Sequence, residues 1–191
     1  MDVTFTRTGR RRYSTVVESP GREPQGMNPA PGYDDHIPHD LLHYLVEAEL
    51  GLTSGVYGRA AAGGGTFMPF GETVRDRRGH HRARRRQARS EARLGRADRS
   101  DMATSEFFAG VCFVLWRKRN SPPQERPPWI PPLDLTADQE RQAERILARV
   151  DEIAPIWRDL GPGDSVTFTW PQSSPVGVGR GLRPVPDPRG R

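Results

Sequence analysis

The chain has one cysteine, Cys112, which excludes an intramolecular disulfide and leaves folding to the packing of a core. It also has one lysine, Lys118, so every other member of its 29 basic residues is an arginine. No long apolar run is present: the longest, Phe107 to Trp116, covers ten residues, against the roughly 20 that a bilayer-spanning helix needs. No membrane span is expected. Met1 to Arg7 lack the apolar core of a signal peptide, and together with the sparse cysteine this sets the expectation of a cytoplasmic protein. Acidic charge is scarce in one place only. Residues 75–99 hold eleven arginines against Asp76, Glu91 and Asp98, while the rest of the chain carries 18 basic and 21 acidic residues, a net of −3 beneath the overall +5.

That basic stretch also lacks aromatics, and Leu94 is its sole large apolar side chain. It cannot bury a face, so it reads as a flexible insertion. Ala, Gly, Pro and Arg, all with GC-rich codons, are abundant throughout, and this compositional bias is one source of the arginine excess. The functional alternative is non-specific, salt-sensitive nucleic-acid binding through Arg77, Arg78, Arg82, Arg84, Arg85, Arg86 and Arg89, which would neutralise phosphates and release counterions. Base stacking is not available to it without aromatic rings.

The 191-residue chain supports one core. Val3 and Phe5 alternate with Thr4 and Thr6, and Tyr13 to Val17 resume after Gly9, which predicts a hairpin of strands 2–8 and 11–18. Val166-Thr167-Phe168-Thr169 repeats Val3-Thr4-Phe5-Thr6 letter for letter and is expected as a third strand, 165–170, beside that hairpin. Four prolines make 19–35 a loop, with a short extended piece near Gln25 to Asn28. A second short helix, Ser54 to Ala62, is weakened by Gly55 and Gly58. Gly63-Gly64-Gly65-Thr66 lacks the Gly-Lys-Ser/Thr ending of a phosphate loop and reads as a plain turn.

Residues 105–119 are apolar on every side and end in Arg117-Lys118-Arg119, which fits a buried helix; Val111, Phe113 and Val114 fit a central strand nearly as well. Six prolines make 121–134 a stiff connector, or a ligand for a proline-recognising partner. Thr136 and Gln139 form a capping box, and Ile146, Val150, Ile153, Trp157 and Leu160 recur at helical spacing through Pro155. The resulting expectation is a single α+β domain over residues 1–170, a small antiparallel sheet of about three strands packed on three main helices. Residues 171–191, rich in Gly, Pro and Arg, read as a disordered tail.

The best-formed helix is Pro38 to Leu52, with Pro38 at its start, Asp40 in its first turn and Gly51 at its end. Its apolar face is Leu41, Tyr44, Leu45 and Ala48; His39, Asp40, His43 and Glu47 share another stripe. Two imidazoles four residues apart on one helical face can hold one divalent ion, most plausibly zinc, with a third ligand from His36, Glu47, Glu72, the His80-His81 pair or an acid on another element. Along the axis His39 and Glu47 stand about 12 Å apart, which argues against one ion taking His39, His43 and Glu47 together. Asp40 or Glu47 would serve as the base in a metal-dependent hydrolase. The plainer alternative is a solvated helix face.

His39-Asp40-Leu41-Leu42-His43 resembles the His-Asp-x-x-His core of a zinc motif in a ubiquinone-biosynthesis family, where a glutamate follows twelve residues after the second histidine; Gly55 stands there in this chain. That resemblance implies metal binding. The longer run Pro38 to Leu52 resembles uncharacterised proteins of high-GC bacteria, a likeness that implies no activity. The functional expectation is a non-catalytic protein acting by interaction, through a protein partner or weakly on nucleic acid, with a metal site on the central helix. A metal-dependent hydrolase is the alternative.

Overall fold

A computed structural model describes residues 1–69, 99–120 and 133–180, with the isolated positions Arg85, Ala88 and Arg89. Strand β1 (Asp2–Gly9) turns into β2 (Arg12–Glu18), followed by β3 (Gln25–Met27), helix α1 (His39–Leu50), the short α2 (Val56–Ala61) and β4 (Met68–Pro69). Helices α3 (Arg99–Asn120) and α4 (Ala137–Asp159) lead to β5 (Asp164–Thr169) and β6 (Pro175–Arg180). The fold is α+β, as expected. Its antiparallel sheet is wider than expected, with the order β4-β3-β2-β1-β5-β6.

The expected three-strand unit sits at the sheet's centre. The two identical tetrapeptides pair in opposite directions, so Val3 faces Phe168, Thr4 faces Thr167 and Phe5 faces Val166. Each ring thereby meets a branched side chain on the buried face, the kind of cross-strand pair that stabilises a sheet. On the other face the Thr4 and Thr167 hydroxyls hydrogen-bond at 3.0 Å. Tyr13 and Val17 of β2 join the same buried layer.

The sheet widens at both ends with elements of poor strand composition. β3 falls inside the short extended piece anticipated near Gln25, and β4 adds two residues to it. β6 corrects the disordered-tail expectation for its first part: Pro175 to Arg180 pair with β5. Val176 and Val178 alternate with glycines there and remain 57% and 55% exposed. A strand at an edge is held by its ladder rather than by burial, so its composition resembles a tail. Residues 181–191 lie outside the described residues, as do 121–132 of the proline-rich connector and nearly all of the basic insertion.

Helices cover one face of the sheet. Tyr44 of α1 packs against Phe5 and Phe168 with ring centroids 6.0 and 4.9 Å away, and Trp157 of α4 meets Tyr13 edge-on at 6.0 Å. α4 begins with the anticipated capping box, Thr136 Oγ1 accepting from the Gln139 N–H and Gln139 Oε1 accepting from the Thr136 N–H. It continues through Pro155 to Asp159. Residues 105–119 are helical, within α3, and that helix begins six residues earlier than the apolar run alone suggested. Cys112 is a packed thiol whose pKa burial pushes up to about 12. Phe107, on the far side of α3, is 41% exposed. Among the described residues, no helix is long and apolar enough to cross a membrane.

Candidate metal centre

α1 is the helix through which the site is built, because α2, α3 and α4 all pack against it. Gly51 ends it in the left-handed conformation, φ 65°, and the chain then turns back so that α2 starts beside Glu47. His43 is 4% exposed and Glu47 is fully buried. The stripe is therefore not a solvated face. His43 and Glu47 are enclosed by α2, which follows α1 directly, and by α3, far along the chain, while His39 stays exposed.

Glu47 is the anchor on the enclosed side. Its Oε1 accepts the Val56 N–H at 2.7 Å, and its Oε2 accepts those of Tyr57 at 2.8 Å and Gly58 at 3.4 Å. Those are first-turn N–H groups of α2, which have no partner inside their own helix. Ser105 of α3 adds a fourth bond, its hydroxyl donating to Oε1 at 2.9 Å. Burial pushes the carboxyl of Glu47 above the ordinary glutamate range; the N–H groups and Ser105 pull the other way.

This arrangement fixes the state of His43. Having given its proton to Glu47, Ser105 Oγ accepts at its other side, and the atom there is His43 Nδ1 at 2.8 Å. His43 is thereby assigned as the Nδ1–H tautomer, with a bare lone pair on Nε2. Burial, then the neighbouring His39, lowers its pKa to about 4, so the imidazole is neutral at pH 7. That lone pair accepts a hydrogen bond from His39 Nε2–H at 3.0 Å, and Glu106 Oε2 of α3 lies 3.6 Å away. Ligand atoms of His39, His43 and Glu106 all fall within 4.8 Å of one another, with His39 and Glu106 exposed.

Two ligand atoms on a tetrahedral zinc, each about 2.0–2.1 Å from it, stand roughly 3.3 Å apart. The observed 3.0 and 3.6 Å bracket that value. Comparisons with protein-family models, with curated proteins and with solved structures find no match. The chemistry of the site is thus what carries a functional reading.

The structure sorts the residues singled out in the sequence. His39 and His43 come together as expected. The oxygens of Glu47 are engaged by α2 and Ser105, and the carboxylate beside the two imidazoles is that of Glu106. Asp40 is also turned away: its Oδ2 accepts from the Thr15 hydroxyl at 3.1 Å, and burial raises its pKa. His36 lies elsewhere, its ring 5.0 Å from that of Trp116. Glu72, His80 and His81 lie outside the described residues. So do Arg77, Arg78, Arg82, Arg84 and Arg86, whereas Arg85 and Arg89 are helical and exposed. Gly55, standing where the resembling zinc motif has glutamate, is pressed against the Glu47 carboxylate, which an added Cβ would approach to 2.3 Å.

Ser105 and Glu106 are the residues that sequence reasoning missed. Two adjacent polar side chains immediately before a ten-residue apolar run were the available signal. Neighbours in a helix point about 100° apart, which lets Ser105 face Glu47 while Glu106 faces the imidazoles.

Proposed function

We propose that this protein binds a divalent metal ion, most suitably zinc, through His39 Nε2, His43 Nε2 and Glu106, and acts by binding rather than hydrolysis. The observation that carries the reading is the chain Glu47–Ser105–His43, which presents a bare Nε2 lone pair toward a second imidazole and a carboxylate. Metal-bound histidines are commonly oriented through their other nitrogen, and loss of such a partner typically weakens metal affinity 10- to 100-fold. Two neutral imidazoles and one carboxylate suit a borderline-soft ion, and three protein ligands leave a fourth position open.

An open position also admits water, the starting point of metal-assisted hydrolysis. Against that reading stand the two carboxylates suited by sequence to act as base. Both Asp40 and Glu47 are buried, with hydrogen-bond partners other than the ion's position.

Titration of untagged, chelator-stripped protein with zinc should give one equivalent bound and a concentration-dependent rise in thermal stability, about 2.7 kcal/mol when free metal is a hundred times Kd. His43→Ala should abolish the stoichiometric binding, and Glu106→Ala and Ser105→Ala should weaken it. Absence of binding and of stabilisation by zinc, cobalt, nickel and manganese would overturn the proposal.

A further inference from the structure

Beside the histidine pair lies a cavity of about 290 Å³ walled mainly by Tyr33, Ile37, His39, Leu42, Gly110 and Phe113. That is near the lower end of the range for small-molecule sites. His39 belongs to both the cavity wall and the ligand cluster. The relation repeats on α3, where Glu106 of the cluster and Gly110 of the wall are one turn apart, about 6 Å along the axis. Phe113 continues the same face. The cavity therefore begins next to the position an ion would take.

We propose that this cavity receives the apolar tail of a small monocarboxylate whose carboxylate oxygen fills the open position on the ion. The inference rests on the metal reading above. Three features argue for this occupant. First, two neutral imidazoles and Glu106 leave a divalent ion with one uncompensated positive charge beside an apolar wall, and an anionic oxygen neutralises it. Second, the one acid in the wall, Asp34, is already paired with Arg117 and accepts the His36 N–H at 2.8 Å. It does not stand ready to hold a cationic ligand, while the aliphatic and aromatic walls suit a hydrocarbon tail.

The third feature is Gly110 itself. Glycine inside a helix is unfavourable relative to alanine. A Cβ added at Gly110 would meet nothing within 4 Å, and its backbone is not in the left-handed region. Neither packing nor conformation requires the glycine, and what it provides is space in the cavity wall. Gly32 contrasts with it: its φ of +70° and the 2.5 Å approach of an added Cβ to His39 Cβ make glycine necessary where the loop closes on the histidine.

The test uses full-length, untagged protein loaded with one equivalent of cobalt, whose visible absorption reports the ligands on the ion. Hexanoate should shift that spectrum and bind at least tenfold more tightly than hexanol, which lacks the anion, or acetate, which lacks the tail. Gly110→Leu, which fills the cavity, should keep stoichiometric cobalt and lose at least tenfold in hexanoate affinity. Gly110→Ala, which favours the helix, should lose affinity in the same direction and covers the case in which the larger side chain prevents folding. Cobalt bound with a spectrum indifferent to millimolar hexanoate would overturn this inference and leave the metal site standing. Hexanoate binding unchanged by either substitution would overturn the cavity's role, and equal binding of hexanol would overturn the carboxylate's. No cobalt bound at all would bring down both readings.

Discussion

Glu47 and Glu106 approach His43 from its two sides and meet opposite conditions. On the sealed side, Glu47 is fully buried and accepts four hydrogen bonds that join α1, α2 and α3. On the open side, the Glu106 side chain is 62% exposed, and the neutral imidazole of His43 lies 3.6 Å from it. The same residue type thus does structural work where water is excluded and remains available to a ligand where water has access. A glutamate's identity says nothing about which of these it does. Its surroundings decide.

The sharpest way to break the comparison is to remove each carboxylate in the presence of a chelator. Glu47→Ala would leave three N–H groups and the Ser105 hydroxyl without their acceptor in a buried space, and should lower folding stability by about 3–5 kcal/mol. Glu106→Ala should change it by less than about 0.5 kcal/mol, as for an ordinary surface position, while weakening zinc binding. Equal losses in urea denaturation would show that the sealed and open sides are not distinct.

The second expectation concerns protons. In the unfolded chain an imidazole takes up a proton below about pH 6.5, whereas buried His43 does so only near pH 4. Between those values the unfolded state binds more protons than the native state, so His43's contribution makes stability fall as pH falls, by on the order of 3 kcal/mol across the whole window. Asp40 and Glu47 act with the opposite sign above the ordinary carboxylate range, because burial raises their pKa values. Comparison with His43→Asn, in chelator, separates the two effects: the difference in stability between wild type and variant should shrink as pH drops from 6.5 to 4. A difference independent of pH would mean that His43 is not buried as a neutral ring.

The same contrast governs how much could be seen in the sequence. Strands β1, β2 and β5 were legible because their alternation of large apolar and threonine residues answers to one buried and one open face. β6 was not, since its valines alternate with glycines at an exposed edge where burial selects nothing. The His39–His43 pair was legible from helical spacing alone. Its third member was not, because Glu106 comes from a helix 63 residues further along the chain, and local patterns do not record which helices pack together. Glu47 looked like a solvated charge for the same reason. Its partners come from α2 and α3. Gly55 and Gly58 looked like weaknesses in α2, yet an added Cβ would strike the Glu47 carboxylate at one and the Thr53 carbonyl at the other, 2.2 Å away. Both glycines are conditions of the close approach that buries Glu47.

That reading of Gly55 yields the smallest and most local test. Gly51 and Gly55 flank the turn that carries the chain from α1 to α2, and they need glycine for different reasons. Gly51 has φ +65° with nothing within 4 Å of an added Cβ, so Gly51→Ala should cost only the left-handed backbone penalty, about 1 kcal/mol. Gly55 is not in the left-handed region; its constraint is the Glu47 carboxylate, 2.3 Å from the added carbon. Gly55→Ala should therefore cost about 2 kcal/mol by overpacking and push Glu47 away from the α2 N–H groups. In the background Glu47→Ala the obstruction is gone, and the further loss caused by Gly55→Ala should fall close to zero, whereas that of Gly51→Ala should persist unchanged. A double-mutant cycle reads this coupling directly. If Gly55→Ala cost the same with and without the Glu47 carboxylate, the glycine would be serving the backbone turn rather than the buried acid.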